Sequence, residues 1–225
     1  HAVSSGNNFR QPFGLAIEAD GNIVTSNAPG GGGNRVVRVE PNTGGQAIVS
    51  SGGLFIGPSR IALEPDGSIL VSDDGSGGPG GVIRVNPVTG EQTRVSWGGQ
   101  FVNPYGIAVE TDGNIVVADE GAGMIIRVDP VSGAQTAIVS GLNRPTAIAV
   151  DPCDGSILFN KPGGIIRINK VTGATIAEHM GGNFPSGLLT ISSIAVFSGP
   201  PDPTRQPVAH AGEDQTVEEA QLVTL

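Results

Sequence analysis

The sequence predicts an all-β fold: a β-propeller of four-stranded blades, four complete and a fifth partial, followed by an extended C-terminal arm. Three observations predict it. One unit recurs four times, as PFGLAIEADGNIVTSN (12–27), PSRIALEPDGSILVSD (58–73), PYGIAVETDGNIVVAD (104–119) and PTAIAVDPCDGSILFNK (145–161). The Asp-Gly pairs at 20–21, 66–67, 112–113 and 154–155 recur at intervals of 46, 46 and 42 residues. Each copy also holds four short apolar runs, and a fixed period in the forties with four strands per copy is the pattern of propeller blades.

Within a copy, the first run (LAIEA, IALEP, IAVET or IAVDP) leads through a two-residue Asp-Gly turn into the second (NIVTS, SILVS, NIVVA or SILFN). Asp-Gly between alternating apolar runs is a hairpin signal, because glycine accepts the positive φ that tight turns require. A Gly-rich loop then leads to VVRVE, VIRVN, IIRVD or IIRIN, and a turn such as PVTG or PVSG leads to the outermost run. A fifth copy begins at 193–197 (SIAVF) and stops. Residues 2–12 align with 48–58, so the chain opens on the last strand of one blade. The predicted organisation is a propeller over 1–198, a Pro-rich linker over 199–207, and the first strands of a second module over 208–225.

Composition narrows the partners. The formal net charge is -9, with lysine only at Lys161 and Lys170. Nucleic acid is a poor partner for such a surface, because phosphate binding needs clustered Lys and Arg; anionic membrane is disfavoured for the same reason. No run reaches the roughly 18 apolar residues that would predict insertion as a helix. Cys153 is the sole cysteine, which excludes an intrachain disulfide; it falls in a turn, where a buried or half-buried thiol is expected rather than a reactive nucleophile.

Candidate chemistry lies at repeat-periodic positions. Asn27, Asp73, Asp119 and Lys161 end the second strands, and Arg38, Arg84, Arg127 and Arg167 lie on the third. Carboxylates at one face suit Ca2+, with Asp73, Asp74 and Asp119 as the candidate ligands, since hard cations take several oxygens. The competing reading pairs Asp73 with Arg84 and Asp119 with Arg127 across neighbouring strands. The structural reading is preferred, because a side chain that recurs with the repeat serves the scaffold first. No cofactor is therefore assigned, with Ca2+ kept as the alternative. The loop after Asp73 carries no Gly-Lys-Ser/Thr signature and precedes no helix, so it is no phosphate cradle. Trp97 and Tyr105, flanking the crossing between the second and third copies, form either a platform for a glycan or peptide or packing between blades.

The repeat resembles the NHL family and its YWTD, gluconolactonase-like and streptogramin-lyase-like relatives. The residues that carry the likeness are PYGIAVETDGNIVVAD at 104–119 and IIRV at 125–128, and it extends over about 2–197. It implies a propeller, commonly of about six blades, in families that include binding modules, receptors and enzymes. Residues 207–225, PVAHAGEDQTVEEAQLVTL, are similar to the opening of a PKD-type immunoglobulin-like domain, which implies a fragment of a larger secreted or surface protein. Lyases of the family use histidines with a carboxylate and a divalent metal on the central face. Here the histidines are His1, His179 and His210, and His179 falls on an outermost strand. No catalytic residues are assigned. The expectation is a non-catalytic interaction or scaffold module, extracellular or at the cell surface, binding a protein or glycan and self-associating through strand addition. The alternative is a metal-dependent lyase or lactonase.

Overall fold

The computed structural model describes residues 3–28, 33–180 and 194. The partial fifth copy, apart from Ile194, and the linker and PKD-like segment lie outside the described residues. Sixteen strands form four antiparallel sheets of four. Blade 1 is β1 (Pro12–Ile17), β2 (Ile23–Asn27), β3 (Arg35–Val39) and β4 (Gln46–Ser51). Blade 2 is β5 (Pro58–Leu63), β6 (Ile69–Asp73), β7 (Gly81–Val85) and β8 (Gln92–Trp97). Blade 3 is β9 (Pro104–Val109), β10 (Ile115–Asp119), β11 (Met124–Val128) and β12 (Gln135–Val139). Blade 4 is β13 (Ile148–Val150), β14 (Ile157–Lys161), β15 (Gly164–Ile168) and β16 (Thr175–Met180). Sheet order follows chain order, and the first strands β1, β5, β9 and β13 pack in succession on the inner side.

The first hairpin of each blade differs in one detail from the two-residue turn that the Asp-Gly pair predicts. Glu18 N–H donates to the Asn22 carbonyl and Gly21 N–H to the Glu18 carbonyl, so three residues lie between the paired ends. Glycine closes the loop at φ 88°, 87° and 89° in blades 1 to 3 (Gly21, Gly67, Gly113), the form in which a turn ends on a left-handed residue. The Asp side chain accepts the N–H two residues on, as in Asp66 with Ser68 at 2.8 Å. Blade 4 has one residue more, with Asp151 N–H on the Ser156 carbonyl. That extra residue is Cys153 or its neighbour, and the thiol is exposed there rather than half-buried.

Three apolar seams join the blades. Val24 and Val36 of blade 1 meet Phe55, Ile61, Ile69, Val71 and Ile83 of blade 2. Leu70 and Val82 meet Phe101, Ile107, Ile115 and Val117 of blade 3, and Val116 and Ile125 meet Ile148, Ile157 and Phe159 of blade 4. Blades 2 and 3 therefore each offer one face to the blade before and the other to the blade after.

A polar clasp closes the outer rim of the first two seams. Gln92 Oε1 accepts from Leu54 N–H at 2.6 Å, and its Nε2 donates to Ser50 Oγ at 2.9 Å and the Gly52 carbonyl at 3.1 Å. Ser50 Oγ donates in turn to the Gly90 carbonyl at 2.7 Å. Gln135 repeats this with Gln100, Ser96 and Gly98. Gln46 repeats it with Asn8 and Ser4, so residues 3–6 stand against blade 1 as an outer strand stands against the next blade.

The clasp brings the turn glycine against the preceding outer strand. Gly90 has φ 71°, and a Cβ there would lie well inside van der Waals contact of the Val49 carbonyl oxygen. Gly67 has φ 87° with open space around it. Gly67→Ala is expected to cost about 1–2 kcal/mol of left-handed strain alone, and Gly90→Ala distinctly more, because the seam must also part. Urea unfolding of the two variants measures the difference.

Candidate functional site

The four arginines of the third strands are placed by the register. Asp73 lies opposite Gly81, and Asp119 opposite Met124. Arg84 and Arg127 are three residues further along their strands, roughly 10 Å away at the rise of a β-strand. The predicted pairs Asp73 with Arg84 and Asp119 with Arg127 are therefore not formed. Each arginine instead turns its Nε and Nη2 edge onto the glutamate that ends the first strand. Arg38 meets Glu18 at 2.5 and 2.6 Å, Arg84 meets Glu64 at 2.5 and 2.7 Å, and Arg127 meets Glu110 at 2.5 and 2.8 Å. The bond to glutamate is the main cause that raises each guanidinium above its ordinary pKa. Nη2 also reaches a turn carbonyl of the next blade: Pro87 at 3.1 Å, Pro130 at 3.3 Å and Lys170 at 2.6 Å. In blade 4, Arg167 bonds Asp151 at 2.7 Å and Asp154 at 3.0 Å.

The aspartates at the ends of the second strands serve the backbone. Asp73 accepts from Ile56, Gly57 and Gly75 N–H at 2.8, 2.8 and 3.0 Å. Burial raises its pKa, with the three N–H bonds opposing. Asp119 accepts from Val102, Asn103 and Ala122 N–H at 2.9, 2.9 and 2.8 Å. Asp74 accepts from Ser76 N–H at 2.7 Å and caps a short 3-10 turn, Gly75–Gly77. Among the described residues, no group of three or more His, Cys, Asp or Glu side chains could hold a metal ion. Lys161, at the equivalent position in blade 4, pairs with Glu178. His179 lies on the outermost strand β16, opposite Ile165.

Trp97 and Tyr105 do not come together. Trp97 ends the outermost strand β8, where the Arg94 guanidinium lies 4.7 Å from its ring centroid. Tyr105 is on the innermost strand β9. There it meets two residues that periodicity alone does not single out. The Phe13 and Tyr105 rings stand edge to face, with centroids 6.4 Å apart and planes at 83°. The Arg60 guanidinium lies 5.7 Å from each centroid. Its Nη1 donates to the Phe13 carbonyl, and its Nε is buried without a hydrogen-bond partner. Burial pushes the Arg60 pKa below, and the Tyr105 pKa above, their ordinary values.

Two serines hold this cluster in place. Ser26 Oγ accepts from Gly14 N–H at 2.9 Å and donates to the Ser59 carbonyl at 2.5 Å, tying β1 to β5. Ser72 Oγ accepts from Arg60 N–H at 3.0 Å and donates to the Tyr105 carbonyl, tying β5 to β9. At the other end of these strands, Leu63, Val109 and Val150 border an open cavity of about 280 Å3, whose two glutamates, Glu64 and Glu110, are bound to arginine. One signal in the sequence does point to the cluster: the two residues after each repeat proline differ among copies (Phe-Gly, Ser-Arg, Tyr-Gly, Thr-Ala).

Neither a family model nor a curated protein matches the chain significantly. Solved structures do resemble it. A chain of a nidogen–laminin complex matches with TM-score 0.68 and 13% identity, over 78% of this chain and 65% of that one. A streptogramin B lyase matches with TM-score 0.64 and 16% identity, over 79% and 57%. A gluconolactonase from Xanthomonas campestris matches with TM-score 0.63 and 18% identity, over 75% and 61%. Taken with the four stacked sheets, these define the chain as a β-propeller fold. It spans less than two thirds of the length of each of these neighbours.

Asp119→Asn is expected to cost about 1–3 kcal/mol. The amide keeps one oxygen for Asn103 and Ala122 but turns NH2 onto the Val102 N–H. Asn27 shows the consequence in blade 1, where its Nδ2 is buried without a partner. A lower urea midpoint with an unchanged slope is the expected result.

Proposed function

We propose that this chain is a non-catalytic interaction and scaffold module, of NHL type, from a secreted or cell-surface protein that also carries a PKD-like module. One observation supports it above the others. Leu15 and Ile17 on β1 are 65% and 66% exposed, whereas Ile61, Ile107 and Ile148, at the position of Leu15 in blades 2 to 4, are 7%, 6% and 7% exposed. Blade 1 thus presents the apolar face that, in every other blade, a preceding blade covers. The occupant of this reading is a second copy of the chain, its fourth blade supplying the face that blades 1 to 3 supply within the chain. A head-to-tail contact of this kind is heterologous, and it closes into a ring or propagates as a fibre.

The rival reading, a metal-dependent lyase or lactonase, draws on two neighbours whose names state those activities. It ranks second because identities below one fifth carry the fold alone, and because the oxygens of Asp73 and Asp119 are already taken by backbone N–H groups. The first reading assigns no resident cofactor. A stoichiometric divalent ion in purified protein, by elemental analysis, would favour the rival.

Light scattering tests the docking face. The chain is expected to show a mass that rises with concentration, and Leu15→Lys with Ile17→Lys to return it to a folded monomer. A monodisperse monomer of the unmodified chain at high concentration would sink the reading.

A further inference from the structure

The arginines of this protein separate by what they face. Arg38, Arg84 and Arg127 give their Nε and Nη2 edge to a glutamate. Arg144 and Arg167 pair with Glu120 and with Asp151 and Asp154, Arg35 bonds the Gly33 carbonyl, and Arg10 and Arg94 lie exposed at the surface. Arg60 fits none of these groups. It is half-buried on the innermost strand of blade 2, yet among the described residues no carboxylate lies within ion-pair distance of it, and its Nε finds no acceptor. A cation taken out of water without a counter-charge is costly. The faces of Phe13 and Tyr105 offset part of that cost.

We infer that Phe13, Arg60 and Tyr105 form a receptor for a single carboxylate group of an incoming ligand, such as an acidic side chain of a partner protein. Three features select that chemistry. A guanidinium fork matches a carboxylate in geometry and charge, and this molecule makes that match three times within its own scaffold. The two rings, set edge to face beside the cation, supply an apolar wall for the stem that carries the carboxylate. Asp74 and Glu120 both act electrostatically on the Tyr105 hydroxyl, and Glu120 is held nearby by Asn103 and Arg144. These acids, in a chain of net charge -9, oppose a polyanion such as nucleic acid more strongly than a single negative group. The serine ties from β1 to β5 and from β5 to β9 hold the three side chains in register before any ligand arrives, which lowers the ordering cost of binding.

The site is tested by following arginine Nε–H signals of the 15N-labelled full chain during titration with sodium propionate, with sodium chloride and sodium sulfate as matched controls. The Arg60 signal is identified by its loss in Arg60→Lys. A saturable shift of Arg60 with propionate, against a linear drift of Arg94, is the expected result. Arg60→Lys, followed through the Tyr105 ring signals, should bind at least tenfold more weakly, because it keeps the charge and loses the fork. Arg60→Met should abolish binding while keeping or raising Tm, since it removes an uncompensated buried cation. The Leu15→Lys, Ile17→Lys chain should respond like the unmodified one, which separates this site from the docking face. No saturation at Arg60, an equal saturable response to sulfate or chloride, or unchanged affinity in Arg60→Lys would each overturn the assignment.

Discussion

The structure depends on one constraint: a blade of this repeat is apolar on both faces and cannot cover either of them itself. Every residue of β6 and β10 is buried, although side chains alternate between the two faces of a strand. An isolated sheet of this composition would leave the side chains of both faces in water. Stacking is therefore the fold. Full burial of one Ile, Leu or Val side chain contributes about 1.5–3 kcal/mol, and each seam gathers eight buried apolar residues. The gross contribution of a seam is on the order of 10 kcal/mol before chain entropy is subtracted. A single hydrogen bond nets about 0.5–1.5 kcal/mol, so packing decides that blades associate.

The polar groups decide how they associate. The Gln–Ser clasp fixes the outer rim, and the Glu–Arg pair with its reach to the next turn carbonyl fixes the strand ends at another point of the seam. Two contacts at separate places on one interface set both register and tilt, which apolar packing alone leaves loose. The third seam shows the clasp to be a unit. Val139 stands where Ser50 and Ser96 stand, and Thr175 where Gln92 and Gln135 stand. Donor and acceptor have been lost together, so neither half is left buried without a partner. That seam keeps Arg127 on the Lys170 carbonyl and the packing of Ile148, Ile157 and Phe159.

The four complete blades, their strand order and their hairpin positions were legible in the sequence because each is written by the repeat. The partners of the arginines were not. Asp73 and Arg84 are the same kind of charge pair as Glu64 and Arg84, and both recur with the repeat. Only the antiparallel register, which sets Asp73 opposite Gly81, separates them, and register follows from turn lengths that residue types do not spell out. The three-residue turn ending on Gly67 is one such length. Trp97 and Tyr105 illustrate the complementary difficulty: seven residues separate them in the chain, yet the connection carries the backbone from the outermost strand of one blade to the innermost strand of the next.

Periodicity and its failures thus carry different information. A position filled alike in every copy answers a need that every blade has, such as the turn glycine or the acid that neutralises the strand-3 arginine. A position whose residue varies among the copies answers no need shared by all of them, and what stands there is free to serve a ligand. Phe13, Arg60 and Tyr105 occupy such positions on three successive inner strands, where stacking brings them within contact of one another. The repeat builds the wall, and its irregular residues, gathered on the inner side by the same stacking, supply a half-buried cation that no carboxylate among the described residues neutralises.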